Sequence, residues 1–377
     1  MSAIGIGIVG GGYMGKAHAV AMAAVGAVFE TPLRPRLETV CGSTAASSER
    51  LRERFGFARA APDWEALVAD PAVEAVVIAS PPHTHRAIAL AAIGRGKPVF
   101  CEKPMGATLA EAEEMTEAAE RAGVVNMIGF NYVRTPATRF AHQLIEAGRI
   151  GEVTFLRGEH TEDFLADPHA PATWRCQGFA NGTMGDLAPH MVNCARALLG
   201  PIATVSAAVE TVHAERGGEA VTNDDQGQMM VRFRGAGGAP GPMGHLFFSR
   251  VATGRKMGYA YEVFGTKGAI RFDGEDQNAL HLYLAEGPEA ERGFTKILTG
   301  PAHPDYEPFC QGPGHGTGYQ DQITIEARDF LRAVHSGRAE WPTFREGLEV
   351  WRTLDAAMRS AETGHWTAVA QTEDEGA

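Results

Sequence analysis

A carboxylate and an imidazole stand four residues apart at Asp186 and His190, in the run Gly185-Asp186-Leu187-Ala188-Pro189-His190. Helical composition follows (MVNCARALLG), so the spacing predicts a helix carrying both side chains on one face. Asp186 suits the N-cap of that helix, and Pro189 fits its first turn, where a missing N–H costs little. A carboxylate and an imidazole converging on one hydroxyl suit alcohol oxidation, because one group accepts the O–H proton while the carbon-bound hydride leaves. Imidazole fits that task at neutral pH, its unperturbed pKa being about 6.5. A capped helix with a buried histidine is the plain alternative.

Two further groups extend this chemistry. Glu102-Lys103-Pro104 follows a short buried run, Pro98 to Cys101. At the carboxyl edge of an open α/β sheet a lysine can hydrogen-bond a substrate oxygen and favour an alkoxide-like transition state. Gly10-x-Gly12-x-x-Gly15 stands between a strand-like run and a helical one, the context a dinucleotide turn requires. Gly10 would permit the tight turn, Gly12 the approach of a pyrophosphate to the helix N-terminus, and Gly15 close helix–strand packing.

The elements that must position these residues read as follows. Strand and helical composition alternate four times: Ile4 to Val9, then a helix from Met14; Leu37 to Cys41, then Ser47 to Phe55; Ala72 to Ala79, then His85 to Gly94; Pro98 to Cys101, then Leu109 to Ala122. Near-continuous apolar strands alternating with helices predict a parallel sheet covered on both faces. After about Val124 the pattern changes: VNMIGFNY and EVTFLRGEH read as strands separated by a helix, Pro136 to Ala147. From Ala203 to about Leu284 strand-like runs, TVSAAVETV to LHLYLA, predict a meander of mostly antiparallel strands. A long Gly, Pro and His-rich loop, Thr299 to Tyr319, precedes two helices, Ile323 to Ser336 and Phe344 to Glu362. The expected domains are 1–126 for the dinucleotide and 127–377 for substrate and oligomerisation.

The second strand ends in Cys41-Gly42-Ser43-Thr44, without the acid that usually holds an adenosine ribose. Ser43 and Thr44 suit either a ribose hydroxyl or a 2′-phosphate. NAD is favoured over NADP because no basic residue sits at the strand end, and the choice stays open.

Composition narrows the class. The 377 residues carry a formal net charge of −12, against a nucleic-acid binder. Five cysteines without C-x-x-C spacing argue against a disulfide framework or a zinc site, and no metal is expected. The N-terminus lacks the basic region of a signal peptide, and no run of about 18 apolar residues exists, so a cytoplasmic protein without a membrane span is expected. The acidic tail after Ala370 reads as disordered.

Together, GGGYMGKAH at 10–18, SPPHTH at 80–85, CEKP at 101–104, GFNYVRTP at 129–136 and GDLAPH at 185–190 resemble the glucose–fructose oxidoreductase / inositol dehydrogenase / rhizopine catabolism (Gfo/Idh/MocA) family. The resemblance covers almost the whole chain. It implies an α/β protein: a Rossmann domain followed by an α/β domain with a large, mostly antiparallel open sheet, used to form a tetramer or dimer. It implies that Lys103, Asp186 and His190 are catalytic, with His190 the general base. The cofactor would meet Gly10, Gly12, Tyr13, Met14 and Gly15 of the glycine turn, Ser43 and Thr44, then Ser80, Pro81, His85, Glu102 and Lys103. His85 and Glu102 would lie near its nicotinamide end. Segments around Trp174-Arg175, GRKM at 254–257 and the GHGTGY loop are similar to the inositol, L-glucose and levoglucosan dehydrogenases. Trp174, Arg175 and His315 of these segments, with Tyr132 of GFNYVRTP, join the expected substrate contacts. The expected reaction is oxidation of a ring hydroxyl of a cyclitol or sugar, scyllo-inositol or an L-glucose-like ring first. Levoglucosan or glycoside 3-dehydrogenation is the alternative, C=N reduction or dihydrodiol oxidation ranks lower, and a non-catalytic dinucleotide sensor is the alternative of another class.

Overall fold

The computed structural model describes residues 2–235, 237, 239–309 and 312–370. Cys310 and the tail beyond Ala370, both read from the sequence above, lie outside the described residues.

The N-terminal alternation builds one sheet. Its elements are β1 (Ser2–Val9), α1 (Tyr13–Val28), β2 (Leu33–Cys41), α2 (Ala45–Phe55), β3 (Arg59–Ala60), α3 (Trp64–Ala69), β4 (Ala75–Ile78), α4 (Pro82–Ile93), β5 (Val99–Glu102), α5 (Leu109–Ala122) and β6 (Asn126–Gly129). The strands lie in the order β3-β2-β1-β4-β5-β6, with every pairing parallel. All four residues of β4 and of β5 are buried, as helices on both faces require. Capping sets the helix limits. Thr44 and Ser47 form a capping box on α2, Thr108 caps α5, and left-handed Gly56 and Gly123 end them.

Downstream come α6 (Pro136–Glu146), β7 (Val153–Thr161), α7 (Thr183–Asp186), α8 (Ala188–Leu199), β8 (Ile202–Glu210), the short pair β9 (Glu215–Arg216) and β10 (Glu219–Ala220), β11 (Gln226–Arg234), β12 (Pro240–Ser249), β13 (Gly258–Gly265), β14 (Gly268–Asp273), β15 (Ala279–Leu284) and β16 (Thr295–Leu298). Last are α9 (Tyr319–Ser336), α10 (Phe344–Thr363) and β17 (Thr367–Ala368). The second sheet has the order β16-β15-β14-β13-β7-β12-β11-β8-β17. Among the described residues its pairings are antiparallel except β7 with β12, so the sheet is mixed rather than a plain meander. The parallel pair arises because β7, early in the chain, is inserted between two later strands. Met191 of α8 packs against Gly158 of β7, covering one face.

The chain divides into two compact units, Met1–Arg134 with Pro308–Cys310 and Thr317–Glu349, and Thr135–Glu307 with Gln311–Gly316 and Val350–Ala377. This division departs from a single cut after residue 126. The reason is α9, whose Ile323, Ile325, Phe330 and Leu331 join the core of α1, β1 and β4. Phe330 meets Phe100 of β5 edge-on at 5.7 Å.

Candidate active site

In the first unit the glycine turn is shaped by close backbone approach. Gly10 has φ +123°, and a Cβ there would lie 2.2 Å from the Ala79 carbonyl oxygen. A Cβ on Gly15 would meet the Gly10 carbonyl at 2.0 Å. Gly12 is the N-cap of α1, where no side chain caps the helix, no acid stands in the first turn, and a Cβ would meet nothing within 4 Å. An uncapped, unobstructed helix N-terminus fits a dinucleotide pyrophosphate.

At the end of β2 a Cβ on Gly42 would stand 2.4 Å from Ser47 Oγ. A side chain at Gly42 would therefore need Ser47, which helps cap α2, to shift. Thr44 Oγ1 accepts from Ser47 N at 3.1 Å, which commits one of its lone pairs to the helix. Ser43 is exposed.

The turns after β4 and β5 are tied together by His85. Its Nε2 lies 2.7 Å from the Ser80 carbonyl and its Nδ1 3.0 Å from that of Pro104. Burial holds His85 below the ordinary histidine value, and the two carbonyls, each an acceptor for a ring N–H, pull the other way. Pro81 is the N-cap of α4, and Ser80 Oγ lies 2.6 Å from Thr84 Oγ1. Glu102 is buried, with Oε1 2.7 Å from His18 Nε2 on α1. Lys103 follows directly and is half-buried. Beside the glycine turn, Tyr319 of α9 has Tyr13 and Tyr132 at ring distances of 5.8 and 5.9 Å, and its hydroxyl meets Met14 Sδ at 3.3 Å. Sequence reasoning missed His18 and Tyr319; both stood inside quoted motifs, GGGYMGKAH and GHGTGY, where they were given no role. Behind them Glu326 of α9 is fully buried, and burial drives its carboxyl well above the usual carboxylate range.

In the second unit the helix expected to begin at Asp186 starts earlier. Asp186 ends α7, and Leu187 is the N-cap of α8, without a side-chain cap. The expected N-cap role of Asp186 is therefore corrected. Asp224 serves the first turn of α7, its Oδ2 accepting from Met184 N at 2.7 Å. Asp186 Oδ2 instead accepts from Arg175 Nη1 at 2.6 Å. That pair is partly solvated, with side chains 39% and 22% exposed, so it adds at most about 1 kcal/mol to stability and serves mainly to orient two groups. The Arg175 guanidinium lies 4.6 Å from the Trp174 ring centre and 5.5 Å from that of Phe164. Pro189 sits in the first turn of α8, and His190 is 5% exposed. The rings of His190 and His160 are 5.6 Å apart, and Tyr259 Oη donates to the His190 carbonyl at 3.5 Å. His160 Nδ1 lies 3.0 Å from the Leu187 carbonyl, holding the break between α7 and α8. His160 was missed because the end of a strand gave no sign of where its ring would fall. His315 is exposed and curls back on its own loop, Nδ1 accepting from Gly312 N at 3.1 Å. Lys103 and Tyr132 belong to the first unit, whereas Trp174, Arg175, Asp186, His190 and His315 belong to the second.

Burial pushes the Asp224 carboxyl from its ordinary 3.8 up to about 6, against the lowering effect of the Met184 N–H. The folded state thus holds this proton over roughly pH 4–6, where the unfolded chain releases it. The stability contributed is complete below the unfolded value and lost as pH rises through about 6, an effect on the order of 3 kcal/mol. Asp224→Asn lacks this dependence. Its melting temperature relative to wild type should climb as pH goes from 4 to 7, and a flat difference would sink the assignment.

Residues 4–130 match the oxidoreductase family described as an NAD-binding Rossmann fold, and residues 138–271 match the GFO/IDH/MocA C-terminal domain. Levoglucosan dehydrogenase of Pseudarthrobacter phenanthrenivorans is 36% identical, over 98% of this chain and 99% of that one. The chain belongs to the GFO/IDH/MocA oxidoreductase family. This bears out the resemblance carried by the five motifs and sets aside the reading as a non-catalytic sensor. The solved structure of levoglucosan dehydrogenase in complex with NADH and levoglucosan has a TM-score of 0.94 at 36% identity, covering 98% of this chain and 100% of that one. Inositol 2-dehydrogenase of Rhizobium meliloti is 26% identical over 94% and 96% of the two chains. Like its family, the protein is an oxidoreductase with an NAD-binding Rossmann domain. Among the described residues no helix is long and apolar enough to cross a membrane.

Proposed function

We propose that this oxidoreductase oxidises a secondary ring hydroxyl of a sugar or cyclitol to the ketone, with levoglucosan ahead of the inositols as substrate. The observation that carries the reading is the grouping of Arg175, Asp186 and His190 around the start of α8: a fixed donor, a carboxylate and an imidazole suit a polyhydroxylated ring. The near-complete 36% likeness to a levoglucosan dehydrogenase, against 26% to an inositol dehydrogenase, supports reversing the substrate order expected from sequence. His190 removes the hydroxyl proton, and Asp186 orients the hydroxyl. Arg175 donates to neighbouring hydroxyls, and Lys103 donates to the reacting oxygen as negative charge grows there. NAD, held by Gly10, Gly12 and Gly15, supplies the hydride acceptor when bound.

The reading is tested by following nicotinamide absorbance with NAD and NADP against levoglucosan, scyllo-inositol, myo-inositol and glucose of both hands. Turnover of levoglucosan with NAD at a kcat/KM at least about tenfold above the other pairs is expected, a margin of about 1.4 kcal/mol. Preference for one inositol would keep the chemistry and replace the substrate. No turnover of any ring polyol, in protein that binds NAD, would overturn the reading.

A further inference from the structure

Arg175 stands on a partly exposed loop, yet its main chain is held by buried polar side chains. Its carbonyl accepts from Arg250 Nη1 at 2.8 Å and from Asn223 Nδ2 at 2.9 Å. The same Arg250 nitrogen reaches the Asn181 carbonyl at 2.8 Å, and the same Asn223 nitrogen reaches that of Gly178 at 3.0 Å. Asn223 Oδ1 in turn accepts from Arg250 Nη2 at 2.6 Å, and Asp225 Oδ1 accepts from Arg250 Nε at 3.0 Å. The side chains of Arg250 and Asp225 are only 2% and 0% exposed.

Ion pairs this deep are a poor source of stability, because desolvation offsets their attraction. What an arginine fork and an amide supply is direction: donors fixed in a plane, aimed here at three carbonyls between residues 175 and 181. The same segment also holds the other side of the ion pair. Thr183 N donates to the Asp224 carbonyl at 3.1 Å, Thr183 Oγ1 to the Asp225 carbonyl at 2.8 Å, and Met184 N to Asp224 Oδ2 at 2.7 Å. Residues 223–225 thus fix both the Arg175 loop and the start of the helix that ends in Asp186.

We propose that Asn223, Asp225 and Arg250 are positioning residues, a buried brace that sets Arg175 against Asp186 in the geometry the substrate hydroxyls require. The proposal rests on the reading of Arg175 as a substrate donor. Truncating the brace leaves the Arg175 side chain in place but frees its backbone, so substrate binding weakens while the proton-transfer groups keep their chemistry.

The test uses the full-length enzyme with levoglucosan, or with the ring polyol that the panel selects, and NAD. In Asn223→Ala, and in Asn223→Asp, which keeps the volume and the acceptor for Arg250, KM for the polyol should rise about tenfold, with kcat and KM for NAD within about twofold. Arg175→Ala should raise the same KM at least as much, and the double variant Asn223→Ala/Arg175→Ala no further, since the two act through one contact. Hydrogen exchange of the segment 172–182 should quicken in both Asn223 variants and stay unchanged across β11 and β12; this measurement needs no substrate. Unchanged exchange at 172–182 overturns the brace, as does uniform quickening, which would mark general destabilisation. Faster exchange with an unchanged KM, where Arg175→Ala raises it, overturns the positioning role. An unchanged KM in Arg175→Ala overturns the substrate reading beneath it, and the proposed role with it.

Discussion

His190→Ala is expected to lower kcat by about 10²–10⁴-fold, the usual contribution of a general base, while NAD binding stays within about twofold. His190 lies in the first turn of α8, almost buried, behind the turn that His160 ties through the Leu187 carbonyl. Alanine is a good helix former, so the replacement removes the imidazole without disturbing the helix. The loss should appear in kcat and kcat/KM alike, because the proton is transferred only in the transition state. Single-turnover rates and NAD titration together check this. A loss of only a few-fold would move the base to another group, with His160 the next candidate at a ring distance of 5.6 Å.

Gly10→Ala should have the second largest effect, and by a different route. The residue has φ +123°, a conformation that costs an L side chain about 1–3 kcal/mol. The added Cβ would also lie 2.2 Å from the Ala79 carbonyl oxygen, which belongs to the backbone just after β4 and cannot rotate away. Overpacking of that kind typically costs a further 1–3 kcal/mol, so a total of about 2–6 kcal/mol is expected. Relief requires the glycine turn to move off the sheet, which displaces the N-terminus of α1. Melting temperature should fall by several degrees, and the dissociation constant of NAD should rise at least about tenfold. A melting temperature within about a degree of wild type, with NAD affinity unchanged, would show that the turn tolerates the shift and that its glycines are not required for the fit.

The contrast between the two variants follows from where each residue sits in the hierarchy. Gly10 is legible in the chain because a backbone requirement leaves a local mark: only glycine meets it, and the strand before and helix after it are themselves local patterns. The strand–helix alternation of the first unit, the limits of α5 and the strands β8 and β15 were readable for the same reason. Hydrophobic period and caps are properties of neighbours in sequence. The pair Asp186 and His190 was legible as two groups near one helix start, but their local roles were not. The N-cap assigned to Asp186 failed because a separate one-turn helix, α7, held at Met184 N by Asp224 40 positions downstream, ends in Asp186, which pairs with Arg175 instead.

The sequence by itself determined the α/β class, the dinucleotide turn, the family and the candidate chemistry, since each rests on residue type at short spacing. Only the tertiary structure decided that α9 joins the N-terminal core, that β7 pairs in parallel with β12, that the Ser47 hydroxyl closes on Gly42 beyond β2, and that Asn223, Asp225 and Arg250 close on the Arg175 loop. Each of these depends on contacts between residues far apart in the chain or on the direction of a single side chain. Neither leaves a periodic trace, because the free energy that selects them comes from packing and paired polar groups that exist only once the chain has folded.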